Sequence, residues 1–513
     1  MCRHSELSRN IAPAVPVGIG QDCDEAALFF VDGDHDRSKA YVKPTLTTVH
    51  LPEWITTAPD APYFMTESGT AWTPIGHNDA LTWPELRVLQ CGNLAGVARH
   101  FQWLRDNGVT CIRLMLEYCE DGQCYFERPA GRIRPAMVAL WDDLVGLCAG
   151  AGLRLLLTPY DTFFMWNNWA DHPYNHVNGG PCADRTQLLC CPTTRELIKA
   201  RLAFAAERWG ASGVIFAWDL WNEMHPVQGL DRPRCFEDFI EDVGPFLRSL
   251  EMRLYGRSHL QTISIFGPEL QWKPWLNEPV YRHPLLDFAT IHLYEEGTID
   301  FPLDTVAAAI STGRLIREAL GEIHDNRPLF DSEHGPIHTF KDHGLVLPEP
   351  FDDEYFRHMQ WAHFASGAAG GGMRWPNRDP HTLTPGMRQA QRSLAAFLPL
   401  IDWTRFRRRN LHGAVTVNGA AVSAFGCGDD SQIVLWLLRT EPIGQDGRID
   451  RAQPATVTVS VPALAAGEYR IVYWDTETGR SLGEDRQHHA GARPLTFRPP
   501  SIFVDLALAI QSL

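Results

Sequence analysis

The sequence predicts an α/β protein, a (β/α)8 TIM barrel with a C-terminal all-β sandwich. Three observations carry that expectation. From about residue 71 onward, short apolar runs alternate with longer amphipathic segments, the pattern of a parallel sheet. Eight such runs occur, enough to close the sheet on itself. After about residue 403 the helical period disappears, and short strands follow one another between Gly and Asp turns.

The elements follow in order. Residues 72–78 read as a first strand, and 93–107 as a helix with Leu94, Val97, Phe101 and Leu104 on one face and Gly108 at its stop. Strands are expected at 109–116, 153–158 and 214–220, separated by helices at 137–149 and 193–209. The alternation goes on with a helix at 236–255, strands at 262–266 and 288–293, a helix at 304–324, and a strand at 328–330. A helix at 353–366, a strand at 370–375 and a helix at 385–398 complete it. An open, doubly wound sheet is the main alternative, but it usually carries a Gly-rich phosphate turn after its first strand, and His77-Asn78-Asp79-Ala80 is not one. Sandwich strands are expected at 414–417, 433–438, 455–461, 469–474 and 502–508. The resulting division is an N-terminal extension over 1–62, a barrel over 63–402 and a sandwich over 403–513. Strand-like runs at 27–31 and 45–49 suggest that the extension pairs with the sandwich.

Bulk composition narrows the function classes. The net charge of −16 argues against nucleic acid or an anionic membrane as a partner, because both require a positive surface. No apolar stretch is long enough to span a bilayer. The opening residues lack the apolar core of a secretory signal, which points to the cytoplasm, or to secretion if a signal has been removed. The 12 cysteines show no paired metal-binding spacing and read as reduced thiols, several within apolar runs. Oligomeric state leaves no trace in the sequence.

The chemistry concentrates at strand ends, where a barrel places its functional groups. The fourth strand closes in Trp218-Asp219-Leu220-Trp221-Asn222-Glu223, and the seventh in Asp331-Ser332-Glu333-His334-Gly335. Glycosidic bond cleavage needs one carboxyl to protonate the leaving oxygen and a second to attack the anomeric carbon or activate water. Glu223 and Glu333 are that candidate pair. Other strand ends offer Asn78, Arg113, Asp161, His292, Tyr294 and Trp375 as candidate substrate-binding or orienting groups. Glu117 and Glu269 read as structural. Phe163, Phe164, Trp166 and Trp169 crowd the loop after the third strand, and Trp272 and Trp275 the loop after the fifth. Aromatic faces of this kind stack on sugar rings, and Trp166 is the candidate among the loop residues.

This ordered set resembles the clan of retaining (β/α)8 glycosidases, and within it glycoside hydrolase family 5 and its relatives, over about residues 63–400. The resemblance implies that Glu223 is the acid/base and Glu333 the nucleophile. Asn222 would hold the sugar 2-hydroxyl, Arg113 and Tyr294 would keep Glu333 ionised and aimed, and Trp375 would floor the subsite. An Arg neighbour is expected to depress the pKa of Glu333, and a pocket lined by Trp218 or Trp221 to raise that of Glu223. Two departures stand out. Family 5 often carries a His shortly after the Asp that follows the third strand, where this chain has Asp161-Thr162-Phe163-Phe164, and the Ser332-Glu333-His334-Gly335 context is uncommon.

The expected activity is a retaining β-glycosidase needing no cofactor and no metal, acting on mannose- or glucose-configured glycosides from the chain end. Alternatives are an endo-acting β-glycanase, a non-catalytic carbohydrate-binding protein, and a metal-dependent barrel hydrolase using His77, His292, His334 and Asp161.

Overall fold

The computed structural model describes residues 51–118, 124–337, 346–462, 464–491 and 493–513. The expected strands at 27–31 and 45–49 lie outside the described residues, as does Cys119. Val49–Leu513 form one compact unit.

Five parallel strands pair in chain order: Gly76–Asn78, Cys111–Met115, Arg154–Thr158, Ile215–Asp219 and Leu260–Thr262. The sixth and seventh, Ala289–Leu293 and Leu329–His334, pair in parallel with each other. A bridge between Phe266 and His292 joins the fifth to the sixth. Arg374 bridges both His334 and His77, so the eighth position closes the ring. All seven strands are buried at every residue, because the lumen fills one face and the helices cover the other. Gly76 is required by close approach: a Cβ there would lie 1.7 Å from the Cys111 carbonyl oxygen.

The structure corrects several expected bounds. Ala71–Trp72 does not continue into the first barrel strand. It joins Ile55–Thr57 and Phe64–Thr66 in a small antiparallel sheet. Phe64 and Trp72 of that sheet pack on Phe216, and Phe64 also on Phe288. The eighth position is not a regular strand, because Gly370, Gly371 and Gly372 precede Arg374 and Gly372 takes φ +76°. The loop expected after the fifth strand contains the short helix Pro268–Trp272. The long outer helices are Leu94–Asp106, Pro135–Ala151, Pro192–Trp209, Cys235–Tyr255, Thr305–Glu322, Glu349–Ala365 and Pro385–Phe397. Asn93 caps the first of them through Gly96 N at 2.9 Å.

The sandwich has a six-stranded antiparallel sheet in the order Arg409–Asn410, Val422–Gly428, Gln432–Arg439, Asp505–Ser512, Gly467–Asp475, Arg480–His489. A three-stranded sheet of Thr416–Asn418, Thr458–Val461 and Leu495–Phe497 faces it. Gln432–Arg439 is buried on both sides. Ile433, Leu435 and Leu437 fill the space between the sheets. Val434, Trp436 and Leu438 point the other way and share one apolar cluster with Trp361, Phe364 and Phe397 of the barrel helices. The sandwich is therefore packed onto the barrel through a continuous core.

All nine described cysteines are free thiols. Among the described residues no helix is long and apolar enough to cross a membrane.

Candidate active site

The barrel's C-terminal mouth holds a pocket. Its polar lining is Asp161, Asn222, Glu223, Tyr294, Glu333 and Asn377, and its apolar lining is Met115, Phe163, Phe164, Phe266, Ile337 and Trp375. Glu223 and Glu333 thus face one cavity from the fourth and seventh strands. Each offers an oxygen within 4.8 Å of the other's.

Arg113 organises the floor from the second strand. Its Nη1 donates to Asn78 Oδ1 at 2.9 Å and to Glu333 Oε2 at 3.0 Å. Its Nη2 donates to Asp219 Oδ2 at 2.9 Å and to Asn222 Oδ1. The guanidinium is thereby split between two carboxylates in a dry site, which fixes its position and theirs. Tyr294 Oη donates to the other Glu333 oxygen, Oε1, at 2.9 Å.

Asn222 is bridged on both sides. Its Oδ1 accepts from Arg113 and its Nδ2 donates to Asp161 Oδ1. This fixes the amide orientation and leaves one Nδ2–H for a ligand. Asp161 is fixed in turn, because its Oδ2 caps the helix Thr162–Asn167 at Phe164 N, 2.6 Å away. Glu223 sits in the left-handed region at φ +47°, a conformation that costs a non-glycine residue roughly 1–2 kcal/mol. Its amide is held by Ser264 Oγ at 3.2 Å, and that hydroxyl donates to Asp219 Oδ2 at 2.8 Å. His292 Nδ1 lies 2.9 Å from Glu223 Oε1, and its Nε2 lies 3.0 Å from Ser332 Oγ.

Protonation follows from burial. Burial pushes Glu223 up to about 7, against the pull of Arg113 and His225. It also pushes Glu333 up to about 7, assisted by the charge of Glu223 and opposed by His292, Arg113 and Tyr294. The expectation that Arg113 would hold Glu333 low is therefore corrected: desolvation outweighs the guanidinium. Two carboxyls this close share their protons and titrate as a pair. Burial lowers His292 to about 4, so its ring is neutral near pH 7. Asp161 is raised to about 7, again chiefly by burial.

Other expected residues fall elsewhere. Trp218 and Trp221 do not line the pocket. Trp218 Nε1 bonds Glu251 on the Cys235–Tyr255 helix, and Trp221 stacks on Tyr160 behind the site. Trp166 is not a lining residue either, because the Arg185 guanidinium covers its ring at 3.6 Å. Asn78 is buried and spends its Nδ2 on the Ser332 and Met373 carbonyls, so it braces the strands rather than meeting a ligand. Trp375 does reach the pocket, set edge-on to Trp83 at 4.9 Å. Glu117 is structural, clasped by Arg201 at 3.1 Å and held down to about 2, with desolvation overcome by that charge. Glu269 pairs with His225 at 3.2 Å.

The groups close enough to share an ion, among the described residues, are Asp331 with His334 and His363, and Glu223 with His292 and Glu333. His77 and Asp161 belong to neither, so the four residues of the metal-dependent alternative do not gather. Sequence reasoning missed Asp219, Ser264 and Ser332. The available signal was a charge, Asp219, inside an otherwise apolar strand.

No protein-family model matches the sequence, and no curated protein sequence does. Solved structures share the architecture. One described as a glycoside hydrolase is 13% identical, with 90% of this chain and 97% of that chain covered, at a TM-score of 0.59. A glycoside hydrolase family 5 structure from Bacteroides vulgatus is 11% identical, covering 90% of this chain and 94% of that chain, at a TM-score of 0.61. The chain therefore has the (β/α)8 fold found in glycoside hydrolases of family 5, with the β-sandwich beside it.

Proposed function

We propose that the chain is a retaining β-glycoside hydrolase. The observation that carries this reading is the approach of the two carboxylates, with oxygens within 4.8 Å across one pocket. Double displacement uses carboxyl groups about 5–5.5 Å apart, whereas inversion leaves room for a water and needs about 6.5–9.5 Å. Glu333, gripped by Arg113 and Tyr294, attacks the anomeric carbon. Glu223 protonates the leaving oxygen, then takes a proton from the water that releases the sugar. Neutral His292 donates Nδ1–H to Glu223 Oε1 while Nε2 accepts from Ser332 Oγ, leaving Glu223 Oε2 to carry the transferable proton. Asn222 offers its spare Nδ2–H to the 2-hydroxyl, and Trp375 supplies an apolar floor for the ring.

Mannose- or glucose-configured glycosides cleaved from the chain end are the favoured substrates. The support for end-wise action is the aromatic wall of Phe163 and Phe164 on one side of the pocket, with Tyr118 and Trp83 packed behind it. The test is nitrophenol release from a panel of aryl β-glycosides by wild type, Glu223→Ala and Glu333→Ala. The expected result is activity on one glycone, abolished in Glu333→Ala and partly restored by azide in Glu223→Ala. Activity untouched by either substitution refutes the assignment, and a panel silent for wild type but active on polysaccharide favours endo action.

A further inference from the structure

The seventh strand does not reach Glu333 in regular register. Its pairing with the sixth slips between Asp331 and Glu333, a bulge that re-aims the side chains after it. Asp331 is fully buried, and its carboxylate closes this bulge. Oδ1 accepts from Glu333 N at 3.1 Å and from Leu293 N at 3.3 Å. Oδ2 lies 2.6 Å from His363 Nε2, and His363 Nδ1 lies 2.6 Å from the Met359 carbonyl on the same helix. A chain of contacts thus runs from the Glu349–Ala365 helix through the barrel wall to the backbone of Glu333.

From this we infer that Asp331 and His363 are positioning residues for the Glu333 carboxylate: the pair fixes the bulge that aims Glu333 at Glu223 and turns Ser332 toward His292. This role rests on the glycosidase reading above. A regular strand would place residue 333 one step out of phase, and a one-residue slip turns every side chain to the other face. Asp331, His334 and His363 are near one another, but they are not spaced as ligands of one ion. Two donors at about 2 Å on a tetrahedral metal stand roughly 3.3 Å apart, well beyond the 2.6 Å contact. Burial, with His363 and the Arg374 guanidinium beside it, also holds the His334 ring well below the usual imidazole range.

The test compares Asp331→Ala with Asp331→Asn. An asparagine keeps an oxygen for both amides and offers Nδ2 to His363 Nε2, so it preserves the bulge. Alanine removes both clasps. The expected result is a fall in kcat of about 100-fold for Asp331→Ala, the scale of an ångström-sized misplacement, with KM within about threefold. Asp331→Asn stays within about tenfold of wild type. His363→Asn, which loosens the clasp but leaves Asp331 in place, shows the same split at about tenfold and serves if Asp331→Ala does not fold. Wild-type kcat in the alanine variant, a loss confined to KM, or an Asn variant as poor as the Ala variant overturns the inference. A crystal structure of Asp331→Ala or His363→Asn gives an arm independent of turnover. Glu333 is expected to leave Tyr294 and Arg113, and a carboxylate still in contact with both overturns the inference. A wild type silent on every glycoside refutes the glycosidase reading instead, and only the structural arm then bears on the clasp.

Discussion

Replacing Arg113 by methionine keeps the aliphatic stem and removes the charge that binds the pocket together. Arg113 is 1% exposed and contacts Asp219 at 2.9 Å and Glu333 at 3.0 Å. Deleting one member of a buried ion pair costs roughly 3–5 kcal/mol, because the partner charge is left uncompensated. At about 2 °C per kcal/mol for a domain of this size, thermal unfolding of Arg113→Met falls about 6–10 °C below wild type. The gap depends on pH with a defined sign. Arg113 lowers the pKa of Glu333, which stands at about 7 in its presence, so the substitution raises it further. A carboxyl raised in the folded state contributes stability that is full below its unfolded value and is lost as pH rises through the folded one. The variant therefore suffers most at pH 9 and least at pH 6, where Glu333 is protonated in both proteins. Differential scanning fluorimetry of both proteins from pH 5 to 9 measures this. A gap that is absent, or that widens as pH falls, refutes the account of Arg113 as the compensating charge.

Other outcomes follow from the same geometry. Glu223→Gln removes a charge that raises Glu333, so Glu333 titrates below about 7 in that variant, read from the pH dependence of its covalent inactivation by a slow glycoside; an upward shift contradicts the pairing. Ser332→Ala removes the partner that selects the His292 tautomer, and kcat falls up to about tenfold, equivalent to about 1.4 kcal/mol, with KM little changed in steady-state kinetics. Truncation after residue 402 bares the face that Trp436, Phe425 and Trp474 cover, so the remaining barrel aggregates in size-exclusion chromatography; a monodisperse, active barrel contradicts the shared core.

The barrel was legible because its strands and helices differ in period and length, and the sandwich because that period stops. Glu223 and Glu333 were legible because carboxyls at the ends of apolar strands stand out. The facing of Trp218 was not: a strand buried on both sides has no alternation to say which residues enter the lumen. The irregular eighth position was hidden by its glycines, which supply no pattern. The clasp of Asp331 by His363 joins a strand to a helix far along the chain and depends on a bulge that no local signal marks. The balance at Glu333 was misjudged because an Arg neighbour is visible in sequence order while the depth of desolvation is a property of the folded site.

Double displacement requires that Glu333 form a covalent bond to the sugar. Incubation with a 2-deoxy-2-fluoro glycoside of the preferred glycone, followed by peptide mass mapping, tests it most directly. A single glycosyl adduct is expected on the peptide bearing Glu333, absent in Glu333→Ala. An adduct on another residue, or turnover of the normal substrate to the inverted anomer with no adduct at all, contradicts it.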